Sequence, residues 1–259
     1  MVQTTFSLAS FEYFLLIFIR IASFTFAAPF FSTRGFPVRT RIGFSAVLAI
    51  LVANSISPVE MPYVSAIGYS VLVVKEIICG VLIGFVCNIC MSIITFSGSL
   101  IDMNIGLSMV SEFDPTMNTQ MTVSGQFYYY FMLLLMLASN LHKYILSAFI
   151  DSFTMIPLGG ADFAWDNIVT VLIIYLSDYI QLGFRIMLPI FACMLVANVV
   201  LGVMAKVAPQ MNMFSVGVQI KILIGFAAMF LTVFLFPEVV SMISDEIKRL
   251  LPGIMESMY

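Results

Sequence analysis

Residues 98–124 read GSLIDMNIGLSMVSEFDPTMNTQMTVS, and the reading of this stretch decides what kind of chain this is. Small residues, the carboxylate Asp102 inside an apolar run, four methionines and an Asp-Pro break sit between long apolar segments. A plain membrane anchor has no use for such an interruption. At membrane depth irregular backbone survives only where protein buries it or where it lines a water-filled space, because unpaired peptide groups in lipid are costly. The stretch therefore points to a conduit or to its gate.

Outward from it the chain is almost wholly apolar. Of 259 residues 61% are hydrophobic and 10% charged, and mean hydropathy is +1.08. This is the composition of an all-α integral membrane protein. Runs long enough to cross, at roughly 20 residues per span, lie at 11–31, 42–56, 63–97, 126–157, 167–204 and 217–237. Several exceed one span, so about five to eight crossings are open. The first run ends in Phe26-Ala27-Ala28, yet no positive charge precedes it and Arg20 lies inside it. It is read as part of the mature chain, beginning near Met1, and not as a cleaved signal peptide.

Net charge is −3 and no polybasic cluster of four or more Lys and Arg occurs, which gives no argument for nucleic-acid or lipid-headgroup recognition. Cys79, Cys87, Cys90 and Cys193 all fall in apolar segments. Cys87 and Cys90 share a helix face, but the single histidine, His142, is far off in sequence, so packed thiols are expected and no metal. No Ser/His/Asp set and no phosphate-cradling glycine loop can be assembled, so no enzyme and no cofactor is expected.

Positive charges orient the chain only weakly. Arg34, Arg39 and Arg41 follow the first run, and Lys206 and Lys221 flank the last turn. Placing these loops inside puts the N-terminus outside, but then Lys248 and Arg249 fall outside under a six-span count, against the rule. A simple up-and-down topology is therefore not trusted. Ionisable groups lie in nearly every segment: Arg20, Lys75, Glu76, Asp102, Asp151, Asp178, Arg185 and Lys221. Facing lipid, they would cost on the order of 20 kcal/mol together. They are expected to face protein or water, or to snorkel at helix ends. Arg20, Lys75, Glu76, Asp178 and Arg185 are read as buried charges, with Asp178, Gln181 and Arg185 in one stripe.

Helix faces look built for close contact. Glu76, Gly80, Gly84, Asn88 and Ser92 recur every fourth residue, and such small stripes suit near backbone contact. The spacing returns as Gly98-xxx-Asp102-xxx-Gly106, Asn198-xxx-Gly202-xxx-Lys206 and Gly217-xxx-Lys221-xxx-Gly225. Gly80, Gly84, Gly98, Asp102, Gly217, Lys221 and Gly225 are the expected assembly positions. Because glycines frame both Asp102 and Lys221, these two are expected to pair, against the alternative that each meets another subunit or water.

The middle segment then becomes a candidate gate. Pro115 lacks an N–H and pushes Asp114 toward extended backbone. Met103, Met109, Met117 and Met121 are interleaved with polar residues, and unbranched thioethers rearrange at low cost in a seal that must close and open. An ordinary surface loop in a Met-rich chain is the competing reading.

The order Arg20, Pro29, Pro37, Lys75-Glu76 with Gly80 and Gly84, Gly98-xxx-Asp102-xxx-Gly106, Asp114-Pro115, Asn140-Leu141-His142, Pro157, Pro189, Ala208-Pro209-Gln210 and Gly217 resembles the FliR family of flagellar biosynthesis, the R/T subunits of type III secretion export gates. The resemblance covers essentially the whole chain. It implies one export-gate membrane domain over 1–259, made of kinked helical hairpins and packed in a multi-subunit helical cone. It also implies a plug-like loop at about 106–122, holding Gly106, Met109, Glu112, Phe113, Asp114, Pro115, Met117 and Met121. The implied partners are the P and Q subunits (FliP, FliQ), the B and A export components (FlhB, FlhA), unfolded flagellar substrate proteins and membrane lipid. The implied place is the bacterial inner membrane at the flagellar basal body, with energy from the proton motive force and an associated ATPase. A T subunit of a virulence secretion system, a proton-coupled small-solute transporter and a purely structural assembly subunit are the alternatives. The transporter would be expected to show an internal repeat, and no convincing one is seen.

Overall fold

The computed structural model of the chain describes residues 8–31, 37–56, 63, 65–107, 112–114, 119–208, 210 and 213–259. Helices α1 (Leu8–Ala27), α2 (Val38–Ser55) and α3 (Ala66–Ile105) come first. A small antiparallel hairpin of β1 (Glu112–Asp114) and β2 (Thr119–Met121) follows, with Phe113 opposite Gln120. Then come α4 (Val123–Ala138), α5 (Leu141–Met155), α6 (Trp165–Val207), α7 (Met213–Thr232), a 3-10 turn at Val233–Leu235, and α8 (Phe236–Glu256). Apart from the hairpin the regular structure among the described residues is helical, as the apolar composition required.

Among the described residues five helical stretches, the last running from Val216 through Glu256 and so joining α7 to α8, or six if the broken pair α4 and α5 counts as one, are long and apolar enough to cross a membrane. Helix α3 has 40 residues and α6 has 43. At 1.5 Å per residue each is about 60 Å long, roughly twice the hydrocarbon thickness of a bilayer. That surplus explains why counting spans by apolar run length gave no single topology.

The interruption is narrower than residues 98–124. Gly98 does not break α3, which continues to Ile105, and α4 already begins at Val123. The run 126–157 is in turn broken once, where Asn140 adopts φ 59° between α4 and α5; asparagine tolerates this left-handed backbone better than most residues. Helix α8 is an element the apolar-run count passes over. Its residues Phe236, Val239, Val240, Ile243, Ile247, Leu250, Leu251 and Ile254 are buried while Lys248 and Arg249 are exposed, the three-to-four spacing of an amphipathic helix.

The residues fall into two compact units. One holds α1, α2, α5, residues 66–89 of α3, the start of α6 and the end of α8. Its core is aromatic: Phe24 of α1 stacks on Phe149 of α5 with ring centroids 3.9 Å apart. Helix α2 offers Ser45, Leu48, Ala49 and Val52 as its buried stripe. The second unit holds residues 90–105 of α3, the hairpin, α4, α7, most of α6 and the start of α8. There Phe96 packs on Tyr179 and Phe184, and Tyr128 and Phe131 pack on Phe236.

Candidate functional site

In the first unit the Gly80–Gly84 pair brings α3 against α1. A Cβ added at Gly80 would lie 2.0 Å from Ser23 Oγ and 2.4 Å from the Arg20 carbonyl oxygen, and one at Gly84 would lie 2.6 Å from Ala27 Cβ. This approach seats two fully buried charges opposite each other. Arg20 Nε donates to Glu76 Oε2, and Arg20 Nη1 donates to the Ile156 carbonyl at 2.9 Å. The second Glu76 oxygen accepts the Gly159 amide at 2.8 Å, and the guanidinium carbon lies 4.6 Å from the centre of the Phe153 ring. Lys75, half-buried, donates to the Ala161 carbonyl at 2.8 Å. Three side chains, Arg20 of α1 and Lys75 and Glu76 of α3, thus hold the segment 156–161, and Gly159, at φ +76°, supplies the backbone bend.

The second unit builds its polar site from α3 and the first turn of α4. A Cβ at Gly98 would lie 2.3 Å from Gly125 Cα, so the two backbones touch. One turn further along α3 stands Asp102, fully buried. Its Oδ2 accepts the Ser124 amide at 3.0 Å and its Oδ1 accepts the Ser124 hydroxyl. The early amides of a helix have no intrahelical partner, and its N-terminus favours negative charge. Thr122 Oγ1 accepts the next free amide, that of Gly125, at 3.3 Å. Ser124 Oγ also lies 3.3 Å from Met229 Sδ on α7. Helix α3 ends just beyond, with the Gly106 amide donating to the Asp102 carbonyl at 2.9 Å and Gly106 at φ +91°. That glycine ending lets the chain leave the helix without steric strain.

The expected pair of Asp102 and Lys221 does not form; the reason is register. On α7, Gly225 faces Ile105, a Cβ there lying 2.6 Å from its side chain, and Met229 meets the Asp102 site through Ser124. Lys221 is two turns away from Met229, about 12 Å along the axis. The burial expected for Arg185 is also corrected. The buried face of α6 runs through Gly183, Ile186, Met187, Ile190 and Met194, and Arg185 lies off that face and is exposed. It lines a cavity of ≈ 160 Å³ with Pro189, Tyr128, Thr232 and Glu238. Asp178 is half-buried and Gln181 is exposed, bonded to Ser177 at 3.2 Å. Lys221 is half-buried, Gly217 is buried, and a Cβ at Gly217 or Gly202 would meet nothing within 4 Å.

Of the expected plug residues, Met109, Pro115 and Met117 lie outside the described residues, and Glu112, Phe113, Asp114 and Met121 are described for backbone alone, in the hairpin strands. Sequence reasoning missed Ser124, Gly125, Met229 and Gly159. Ser124-Gly125 after Thr122 was a readable signal, a cap residue followed by small residues at the start of an apolar run.

The family model for bacterial export proteins, family 1, matches residues 11–247. The flagellar biosynthetic protein FliR of Bacillus subtilis (strain 168) is 30% identical over 218 residues, covering 83% of this chain and 84% of the relative. The FliR of Pectobacterium carotovorum subsp. carotovorum is 28% identical over 242 residues, 92% of this chain and 90% of the relative. That of Escherichia coli (strain K12) is 25% identical over 244 residues, 90% and 91%.

Proposed function

The chain belongs to the bacterial export proteins, family 1, and from that premise we propose that this flagellar export component is a subunit of a multi-subunit gate whose 106–122 segment seals the protein-conducting pore. The arrangement of Gly98, Asp102, Ser124 and Gly125 carries the reading. It closes the two ends of the interruption on each other and leaves a hairpin of Glu112–Asp114 and Thr119–Met121 between long apolar helices. A short segment tied at both ends can occupy a pore without loosening the helices that frame it.

Surface composition supports a multi-chain setting. Val196, Val199, Val200, Val203 and Val207 of α6, Leu223, Phe230 and Leu231 of α7 and Phe234 of the 3-10 turn are all exposed, an apolar surface that belongs against lipid or other subunits. The partners in this reading are the P and Q subunits, with the B and A components as neighbours in the inner membrane at the basal body. The cargo is unfolded flagellar protein, moved without chemistry in this chain.

Deletion of residues 108–120 tests the gate directly. Assembly should persist while leakage of ions or small solutes through the membrane rises. A membrane that stays sealed while the complex still assembles would remove the gating role.

A further inference from the structure

We propose that the cavity of ≈ 160 Å³ in the second unit, lined by Arg185 of α6 and Glu238 of α8, binds the headgroup of a zwitterionic phospholipid, with the phosphate on Arg185 and a primary ammonium on Glu238. The proposal rests on the chain lying in a membrane and is independent of the gate reading above.

The distribution of charge puts this cavity at the edge of an apolar slab. Beyond Arg185 no ionisable residue occurs over positions 186–205. As helix that stretch is about 30 Å long, the hydrocarbon thickness of a bilayer. The chain returns through residues 222–237, again without an ionisable group, and meets the cavity at Thr232, Leu235 and Glu238. Arg185 and Glu238 are therefore the charges at which two uncharged stretches begin and end. The surface beside them is apolar, since Phe184, Leu188, Phe234 and Leu235 are all exposed. A ligand seated there meets charge in the cavity and apolar side chains around it, which suits a molecule with a charged head and hydrocarbon tails.

The polar groups of the cavity select the headgroup. Arg185 and Glu238 are exposed, and among the described residues neither enters an ion pair. Opposite charges thus line one cavity without closing on each other, and a ligand that satisfies both carries both signs. A purely anionic headgroup would set its charge against Glu238. The other groups are acceptors. Thr232 Oγ1 spends its hydrogen on the Met229 carbonyl at 2.8 Å, so in the 3.1 Å contact between them the Tyr128 hydroxyl donates to Thr232. The Tyr128 oxygen is left able only to accept. Pro189, having no N–H, also deprives the Arg185 carbonyl of its helical partner. Such acceptors call for N–H donors, which a primary ammonium has and a trimethylammonium lacks. Size agrees as well, because a cavity of about 150 Å³ holds benzene and phosphoethanolamine is only a little larger.

The test presents the full chain, delipidated in mild detergent, with phosphatidylethanolamine, phosphatidylcholine and phosphatidylglycerol of identical acyl chains, and counts retained lipid by native mass spectrometry. Phosphatidylethanolamine should be retained at about tenfold lower concentration than either of the others. Arg185→Gln should weaken its retention about tenfold, and Glu238→Gln should bring phosphatidylglycerol to within about twofold of it. The headgroup comparison on the unaltered chain decides the matter even where a variant fails to fold. Retention of all three lipids within about twofold of one another, or a preference that survives both substitutions, overturns the proposal. Displacement of the lipid by an equal concentration of soluble phosphoethanolamine also overturns it, because the ligand would then be a free zwitterion. A chain without headgroup preference whose Arg185→Gln variant no longer assembles with P and Q subunits would make the cavity a subunit contact, and overturns it too.

Discussion

Replacement of Glu76 by alanine offers the sharpest energetic test, because every hydrogen bond of that carboxylate is accounted for. The variant leaves the Arg20 guanidinium, fully buried under Phe153, without its counter-charge. Breaking a buried pair from one side costs about 3–5 kcal/mol. It also strands the Gly159 amide, which otherwise bonds Glu76 Oε1 at 2.8 Å, and a buried orphan amide adds ~1–3 kcal/mol. The expected loss is therefore roughly 4–8 kcal/mol, a large part of the 5–15 kcal/mol that holds an ordinary domain together. The double variant Arg20→Met with Glu76→Met removes both charges at once. Apolar replacement of a buried ion pair is often neutral in itself. What remains is the stranded Gly159 amide and the Ile156 carbonyl, about 2–6 kcal/mol together. The double variant should thus be more stable than Glu76→Ala alone, the mark of direct coupling in a mutant cycle. The assay is thermal unfolding of the purified chain in mild detergent, followed by the fraction that stays monodisperse. At about 2–4 °C per kcal/mol the single variant should lose on the order of 10–20 °C or more. A single variant within about 1 kcal/mol of wild type, or a double variant no better than the single, would refute the account of this pair.

The glycine stripes give a graded series in the same assay. Gly80→Ala and Gly98→Ala should each destabilise by ~1–3 kcal/mol or more, since their Cβ atoms would lie 2.0 Å from Ser23 Oγ and 2.3 Å from Gly125 Cα. Gly217→Ala meets open space and should be neutral or stabilise by up to about 1 kcal/mol through helix propensity. Gly106→Ala, forced to φ +91°, should cost about 1–3 kcal/mol through backbone strain alone. A photo-crosslinker at Phe113 or Met117 should capture a stalled export substrate if the segment faces the pore, and capture none if the chain only nucleates assembly.

What the sequence made legible and what it hid divide along physical lines. Apolar run length revealed α1, α2, α3, α6 and α7, because burial in lipid demands it. It missed α8, whose amphipathic face dilutes the apolar signal over Phe236–Glu256. Four-residue spacing found Gly80, Gly84 and Gly98, which do press backbone against backbone, but the same spacing also produced Gly202 and Gly217, where nothing lies within 4 Å. Spacing reports a helix face and says nothing of what covers it. The charges show the same limit. Arg20 and Glu76 are joined across 56 positions of sequence, a partnership that no local pattern contains. Asp102 was recognised as unusual, yet its partner proved to be a serine at a helix start and not the lysine framed by matching glycines, because register between α3 and α7 is decided by the Gly225–Ile105 contact.

The central claim is that this chain works as one piece of an export gate with other subunits. Native mass spectrometry of the chain in mild detergent, expressed alone and with P and Q subunits, tests it most directly. The account predicts a stable mixed complex containing this chain, formed only when the partners are present. A monodisperse monomer or homodimer, indifferent to those partners, would contradict it.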